Sequence, residues 1–85
     1  MKHARTDYDR IQDPAGLIPA DEPVFLIRGK DFAGPRAVRA WADIAEQQGA
    51  EAHILEAARK QADRMEQYQI DHGGKLADMP KGYAA

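Results

Sequence analysis

The stretch GPRAVRAWADIAEQQGAEAHILEAARKQADRMEQYQI (residues 34–70) decides the fold. Its apolar residues recur at helical spacing and the pattern breaks once, at Gly49. Pro35 suits the first turn of a helix, where a missing N–H loses no bond, and Gly34 is placed to cap it. The spacing predicts a first helix over 35–48, ended by Gly49. Its buried stripe reads Ala37, Val38, Trp41, Ile44, Ala45 and Gln48. A second helix is predicted over 51–70, stopped by Asp71-His72-Gly73-Gly74. Leu55, Ala58, Ala62 and Met65 form its seam, widened by Ile54 and extended by Tyr68 and Gln69. The tight link at Gly49 makes the pair an antiparallel αα-hairpin. At 1.5 Å per residue the helices are ~21 Å and ~30 Å long, so the end of the second overhangs. Met65, Tyr68 and Ile70 lie there and need a cover, either the Tyr8–Ile18 segment or another subunit.

Working outward, Asp21-Glu22-Pro23-Val24-Phe25-Leu26-Ile27-Arg28-Gly29-Lys30-Asp31 precedes the first helix. Val24 to Ile27 has the β-branched and aromatic character of a strand, apolar on both faces. Its backbone needs a partner, either Tyr8-Asp9-Arg10-Ile11, which alternates apolar and polar, or the same strand of a second chain. Asp13-Pro14-Ala15-Gly16 reads as a β-turn. Residues 1–7 read as a mobile polar arm. Residues 73–85 read as a flexible tail, with Leu76 and Met79 as its docking candidates. The expected fold is α+β and mostly helical. One or two short strands pack on the hairpin in a single small domain over 8–72, with strand and loop at 8–31, completed by homo-oligomerisation.

A chain of 85 residues makes one domain and offers a small core, which is why self-association is expected. It has no cysteine, so no disulfide framework or thiol nucleophile. It has no serine, and Thr6 is the only threonine, which removes the usual hydroxyl nucleophiles. The net charge of −2 argues against general nucleic-acid binding. No apolar run approaches the ~20 residues of a membrane span, and no signal peptide is visible. The expectation is a cytoplasmic protein without a membrane partner.

Arg28 and Lys30 stand where the strand ends, and Arg36 lies in the first turn of the helix that follows. Loop amides, these cations and a helix N-terminus could converge on a phosphate or carboxylate. Gly29 and Gly34 would let the backbone approach such a ligand closely. The competing reading pairs Arg28 with Asp31 or an acidic side chain of the second helix. Tyr8 is a candidate for stacking on a base, whereas Trp41 reads as a core or interface residue. Arg39, Arg59, Lys60 and Arg64, with their acidic neighbours, read as a solvated helical face, with Glu56 and Lys60 at favourable spacing. His53 with Glu56, His3 with Asp7 and Asp9, and Asp71 with His72 each fall short of three convergent metal ligands. No metal, cofactor or catalytic residue is expected, and nothing suggests a buried acid or base for an enzyme.

The block from Asp21 to Asp31, continued by Val38-Arg39-Ala40-Trp41-Ala42-Asp43 and Ala62-Asp63-Arg64-Met65, resembles small accessory proteins of bacterial phages, prophages and plasmids. The resemblance spans most of residues 8–70 and implies a mobile-element accessory role. Proteins of that size and context include sponges that sequester nucleotide immune signals at subunit interfaces, although no sponge motif matches residue by residue. Two functions follow as expectations. One is capture of an anionic, nucleotide-like molecule by a homo-oligomer through Arg28, Gly29, Lys30, Arg36 and Tyr8. The other is a protein–protein adaptor or inhibitor of a host protein, acting through the end of the second helix and the tail.

Overall fold

The computed structural model describes residues 1–8, 10, 11 and 13–78. The chain is mostly helical, with two α-helices and a short two-stranded parallel sheet. It divides into two compact units, residues 1–26 with 78–85 and residues 27–77.

In the first unit, β1 (Lys2–His3) pairs in parallel with β2 (Pro23–Val24), Lys2 opposite Pro23 and His3 opposite Val24. The Lys2 N–H donates to the Glu22 carbonyl at 2.7 Å. Pro23 has no N–H to give, which an edge position tolerates. Neither partner expected for this strand, Tyr8–Ile11 or the same strand of a second chain, is the one it has: the partner lies in residues 1–7, expected to be a mobile polar arm, and Tyr8 closes a 3₁₀ turn over Thr6–Tyr8. The strand expected over Val24–Ile27 is likewise only two residues, because β1 offers only two residues to pair with. Asp9, part of the expected strand, lies outside the described residues. Arg5 organises the turn. Its guanidinium forks onto Asp7 at 3.0 and 2.6 Å, donates to the Asp78 carbonyl at 2.8 Å and sits 4.5 Å above the Tyr8 ring. The Asp13–Gly16 turn is closed by the Gly16 N–H on the Asp13 carbonyl at 3.0 Å.

In the second unit, α1 (Gly34–Gln47) and α2 (Ala52–His72) form the hairpin. Gly49 ends α1 with φ of +87°, a conformation in which glycine meets no steric penalty. Its N–H donates to the Glu46 carbonyl, and the Ala50 N–H to the Ala45 carbonyl, both at 3.0 Å, which is a Schellman closure. The ion pairs between the helices report their direction. Arg39 on α1 reaches Asp63 at 2.8 Å and also Glu66, while Arg59 on α2 reaches Asp43 at 3.0 Å and Glu46 at 3.4 Å. Positions rise on one helix as they fall on the other, so the helices run antiparallel.

The core of the hairpin is Ala42, Ala45, Leu55, Ala62 and Met65, with Ala42 and Ala62 fully enclosed. On α2 the expected seam holds at Leu55, Ala62 and Met65, which are buried, and at Ala58 and Gln69, which are half-buried, but Ile54 and Tyr68, expected to widen and extend it, are exposed. The α1 stripe holds less well: Trp41 is 51% exposed, Ile44 is 55% exposed and Gln48 is exposed. The contact line on α1 is turned toward Ala42, because alanines facing Ala62 let the two backbones approach closely, which an indole on that line would prevent. The charges expected on a solvated face lie at the surface, and Arg39 and Arg59 reach acids of the facing helix along one edge of this contact.

Candidate functional site

The loop from Ile27 to Ala33 brings Arg28, Gly29 and Lys30 to the start of α1, whose first turn carries Arg36. This loop is tied down by its own unit. The Gln69 side-chain amide on α2 donates to the Gly29 carbonyl at 2.9 Å and to the Asp31 carbonyl at 2.8 Å. Lys75 pairs with Asp31 in a parallel bridge: the Lys75 N–H donates to the Lys30 carbonyl, and the Phe32 N–H to the Lys75 carbonyl, both at 2.9 Å. Lys75 and its bridge therefore fall in the segment read as a tail. Leu76 is 76% exposed, and Met79, the other docking candidate, lies outside the described residues.

Two of the amides at this helix start, those of Ala33 and Gly34, are in use. The Asp31 carboxylate accepts from the Ala33 N–H at 2.9 Å, and the Gly34 N–H donates to the Asp31 carbonyl at 2.8 Å. An internal carboxylate thus sits where a ligand's would. Gly34 is required for packing. A Cβ there would lie 2.8 Å from the Met65 Cε and 2.9 Å from the Arg28 carbonyl oxygen. A Cβ at Gly29 would meet Met65 at 3.5 Å, an ordinary contact.

Among the described residues, Arg28, Lys30 and Arg36 make no ion pair, so the alternative of an Arg28 structural pair is not what the structure holds. Arg36 borders a shallow hollow of about 540 Å³ with Phe32, Ala33 and Ala37. Tyr8, the fifth candidate, belongs to the other compact unit, where Arg5 covers one face of its ring. There, too, both His3 ring nitrogens are buried without a hydrogen-bond partner, and Asp7, its suggested co-ligand, is held by Arg5. Among the described residues no group of three or more potential metal ligands assembles.

A second arrangement was not anticipated as a site. The two long edges of the helix contact differ. One is closed by the Arg39 and Arg59 forks, and both guanidinium groups have pKa values raised, chiefly by hydrogen bonds to Glu66 and Asp43 respectively. At ~100° per residue the opposite edge carries Trp41 and Ile44 from α1 and Ile54, Gln61 and Tyr68 from α2. Tyr68 is 45% and Ile54 43% exposed, so this edge is an open apolar strip. At one end it holds a shallow pocket of about 340 Å³ lined by Ile27, Val38, Met65 and Tyr68, with Gln61 and Arg64 as its polar members. The Arg64 guanidinium donates to the Gln61 side-chain oxygen at 3.2 Å. The signal for this strip was present in the sequence, because Trp41, Ile44 and Ile54 are too bulky for an alanine-lined contact.

Among the described residues, no helix is long and apolar enough to cross a membrane. Comparison of the chain with protein-family models, curated proteins and solved structures finds no match.

Proposed function

We propose that this protein is a non-catalytic interaction module of the cytoplasm whose αα-hairpin binds a protein partner through its open apolar edge. The observation that carries this reading is the exposure of Trp41, Ile44, Ile54 and Tyr68 along one edge while the other is closed by ion pairs. Contiguous apolar surface rimmed by polar groups marks a binding face. Its residues suit recognition, since aromatic side chains dominate interface hot spots. An accessory role in a mobile element is what the resemblance of the 21–31 block adds to this reading. The test is 8-anilinonaphthalene sulfonate fluorescence on wild type and on Trp41→Ser/Ile44→Ser. The reading expects either dye binding that the double variant abolishes or self-association that it abolishes. A wild type that does neither would overturn it.

A second reading keeps the anionic, nucleotide-like ligand. It is favoured by one observation: among the described residues Arg28, Lys30 and Arg36 make no ion pair, and Arg36 borders the hollow with Phe32. Calorimetric titration with cyclic and linear nucleotides tests it. Binding that Arg28→Ala weakens by ~1.5–3 kcal/mol, the scale of a charge-assisted hydrogen bond, would support it. Silence across the panel would refute it.

A further inference from the structure

We infer that the partner on the open edge is a second copy of this chain, joined by a two-fold axis that seats Trp41 of each copy in the pocket of the other. This deepens the interaction reading and rests on it.

Three observations select a second copy. The first is the size of the intrachain core. Beside the buried Gly34 and Pro35, its buried hydrophobic side chains are Leu55, Met65 and three alanines, and no large side chain is fully enclosed. Leu55 and Met65 are the larger of these buried side chains, which is thin support for two helices. A cover that completes this core must be present whenever the protein is, and a second copy always is. Two αα-hairpins joined face to face make a four-helix arrangement, a common way to enclose such a seam.

The second observation is charge. The open edge carries Trp41 and Ile44 from α1 and Ile54, Gln61 and Tyr68 from α2, with Arg64 the charged residue lining its pocket. The acidic and basic groups of the hairpin are concentrated on the other edge. A nearly uncharged face offers nothing to select a charged partner. Two copies of it meet without the repulsion that a single-sign face would impose, and an isologous contact needs only one such surface.

The third is area and shape. Trp41, Tyr68, Ile44 and Ile54 leave roughly 300 Å² of apolar surface uncovered. That is more than half of the ~500 Å² of apolar area in one side of a standard interface. On this edge Trp41 is the largest side chain and is half exposed. The pocket of Val38, Met65 and Tyr68 lies about one helical turn away. Knob and hole on one surface, offset by a turn, satisfy each other across a two-fold axis.

Trp41 is the only tryptophan, so its fluorescence reports this contact alone. Light scattering and iodide quenching on the wild-type chain, over a dilution series through the micromolar range, test the proposal. The expected result is twice 9.4 kDa with a shielded indole that becomes quenchable as dilution splits the dimer. Trp41→Glu is expected to raise the dissociation constant at least ~100-fold while the helical circular dichroism persists. Ile44→Glu serves the same purpose should Trp41→Glu fail to fold. A 9.4 kDa species with a quenchable Trp41 would overturn the second copy and leave the binding face standing. A monomer with a shielded Trp41 would overturn both, because the chain's own residues would then cover the strip. A dimer whose Trp41 stays quenchable would place the contact elsewhere and also overturn the proposal.

Discussion

Replacing Gln69 by glutamate changes one atom of the side chain from nitrogen to oxygen and leaves its volume and helix propensity almost untouched. In the native chain that nitrogen gives both its hydrogens, to the Gly29 and Asp31 carbonyls at 2.9 and 2.8 Å. Each bond of this neutral kind contributes ~0.5–1.5 kcal/mol net, so losing both costs about 1–3 kcal/mol. The substituted carboxylate also points an acceptor at two acceptors, which places the expected loss at the upper end. For a domain of this size such a loss lowers the melting temperature by ~5 °C or more. The new carboxyl carries its own pH signature. Two carbonyl oxygens disfavour its charged form, so its folded pKa lies above the ordinary ~4.3 of glutamate. The protonated form is then favoured by folding: the deficit is full above the folded pKa and shrinks as pH falls through it. Protonation also restores one donor to one carbonyl. Thermal melts of wild type and Gln69→Glu by circular dichroism, from about pH 7 down to about pH 4, measure both effects. Equal melting temperatures at neutral pH would refute the clip. A deficit that stays constant as pH falls would refute the account of its electrostatics.

Three further outcomes are expected. Gly34→Ala should destabilise by ~1–3 kcal/mol in urea unfolding, because the added methyl meets the Arg28 carbonyl oxygen at 2.9 Å, and backbone cannot swing aside. Met65→Ala in the same chain should not rescue it, and full rescue would assign the whole clash to Met65. Arg39→Gln should lower the melting temperature slightly, with the difference shrinking as salt rises, since both acids it bonds are exposed. A difference that survives high salt would mean the fork acts through packing. A chain ending at Gly73 should melt several degrees below one ending at Asp78, because it loses both Lys75 backbone bonds at 2.9 Å. Identical melts would make the bridge dispensable.

The helices were readable because their signals are local. Pro35, Gly49 and Gly73 punctuate the chain, and each acts through its own backbone. The rotation of α1 was not readable from periodicity. A stripe weighted by hydrophobicity centres on Trp41 and Ile44, whereas close approach of two backbones is decided by side-chain size and selects Ala42 and Ala45. The partner of β2 was hidden for a related reason. Lys2 and His3 carry no strand pattern, and their pairing depends on a contact distant in sequence. At the candidate loop the residue types spoke for an anion. What they could not convey is that Asp31 occupies the amides and that Gln69 and Lys75 occupy the carbonyls. A glutamine on an otherwise apolar seam was the one visible hint of that clip.

The bridge between Asp31 and Lys75 has a consequence for how the hairpin opens. Chain enters and leaves the helical pair through adjoining, hydrogen-bonded backbone, so the unit is a ring closed by Gly49 at one end and by the bridge at the other. Neither helix can peel from the bridged end until the Phe32–Lys75 and Lys75–Lys30 bonds and the Gln69 clip have broken together. The Phe32 and Lys75 amides lie in irregular backbone, yet they should exchange hydrogen with solvent at the pace of the adjoining helix ends, as members of one cooperative unit. At the other end the helices stay joined by the covalent link and by the Gly49 and Ala50 bonds to the Glu46 and Ala45 carbonyls, so opening from the bridged end is a single cooperative step.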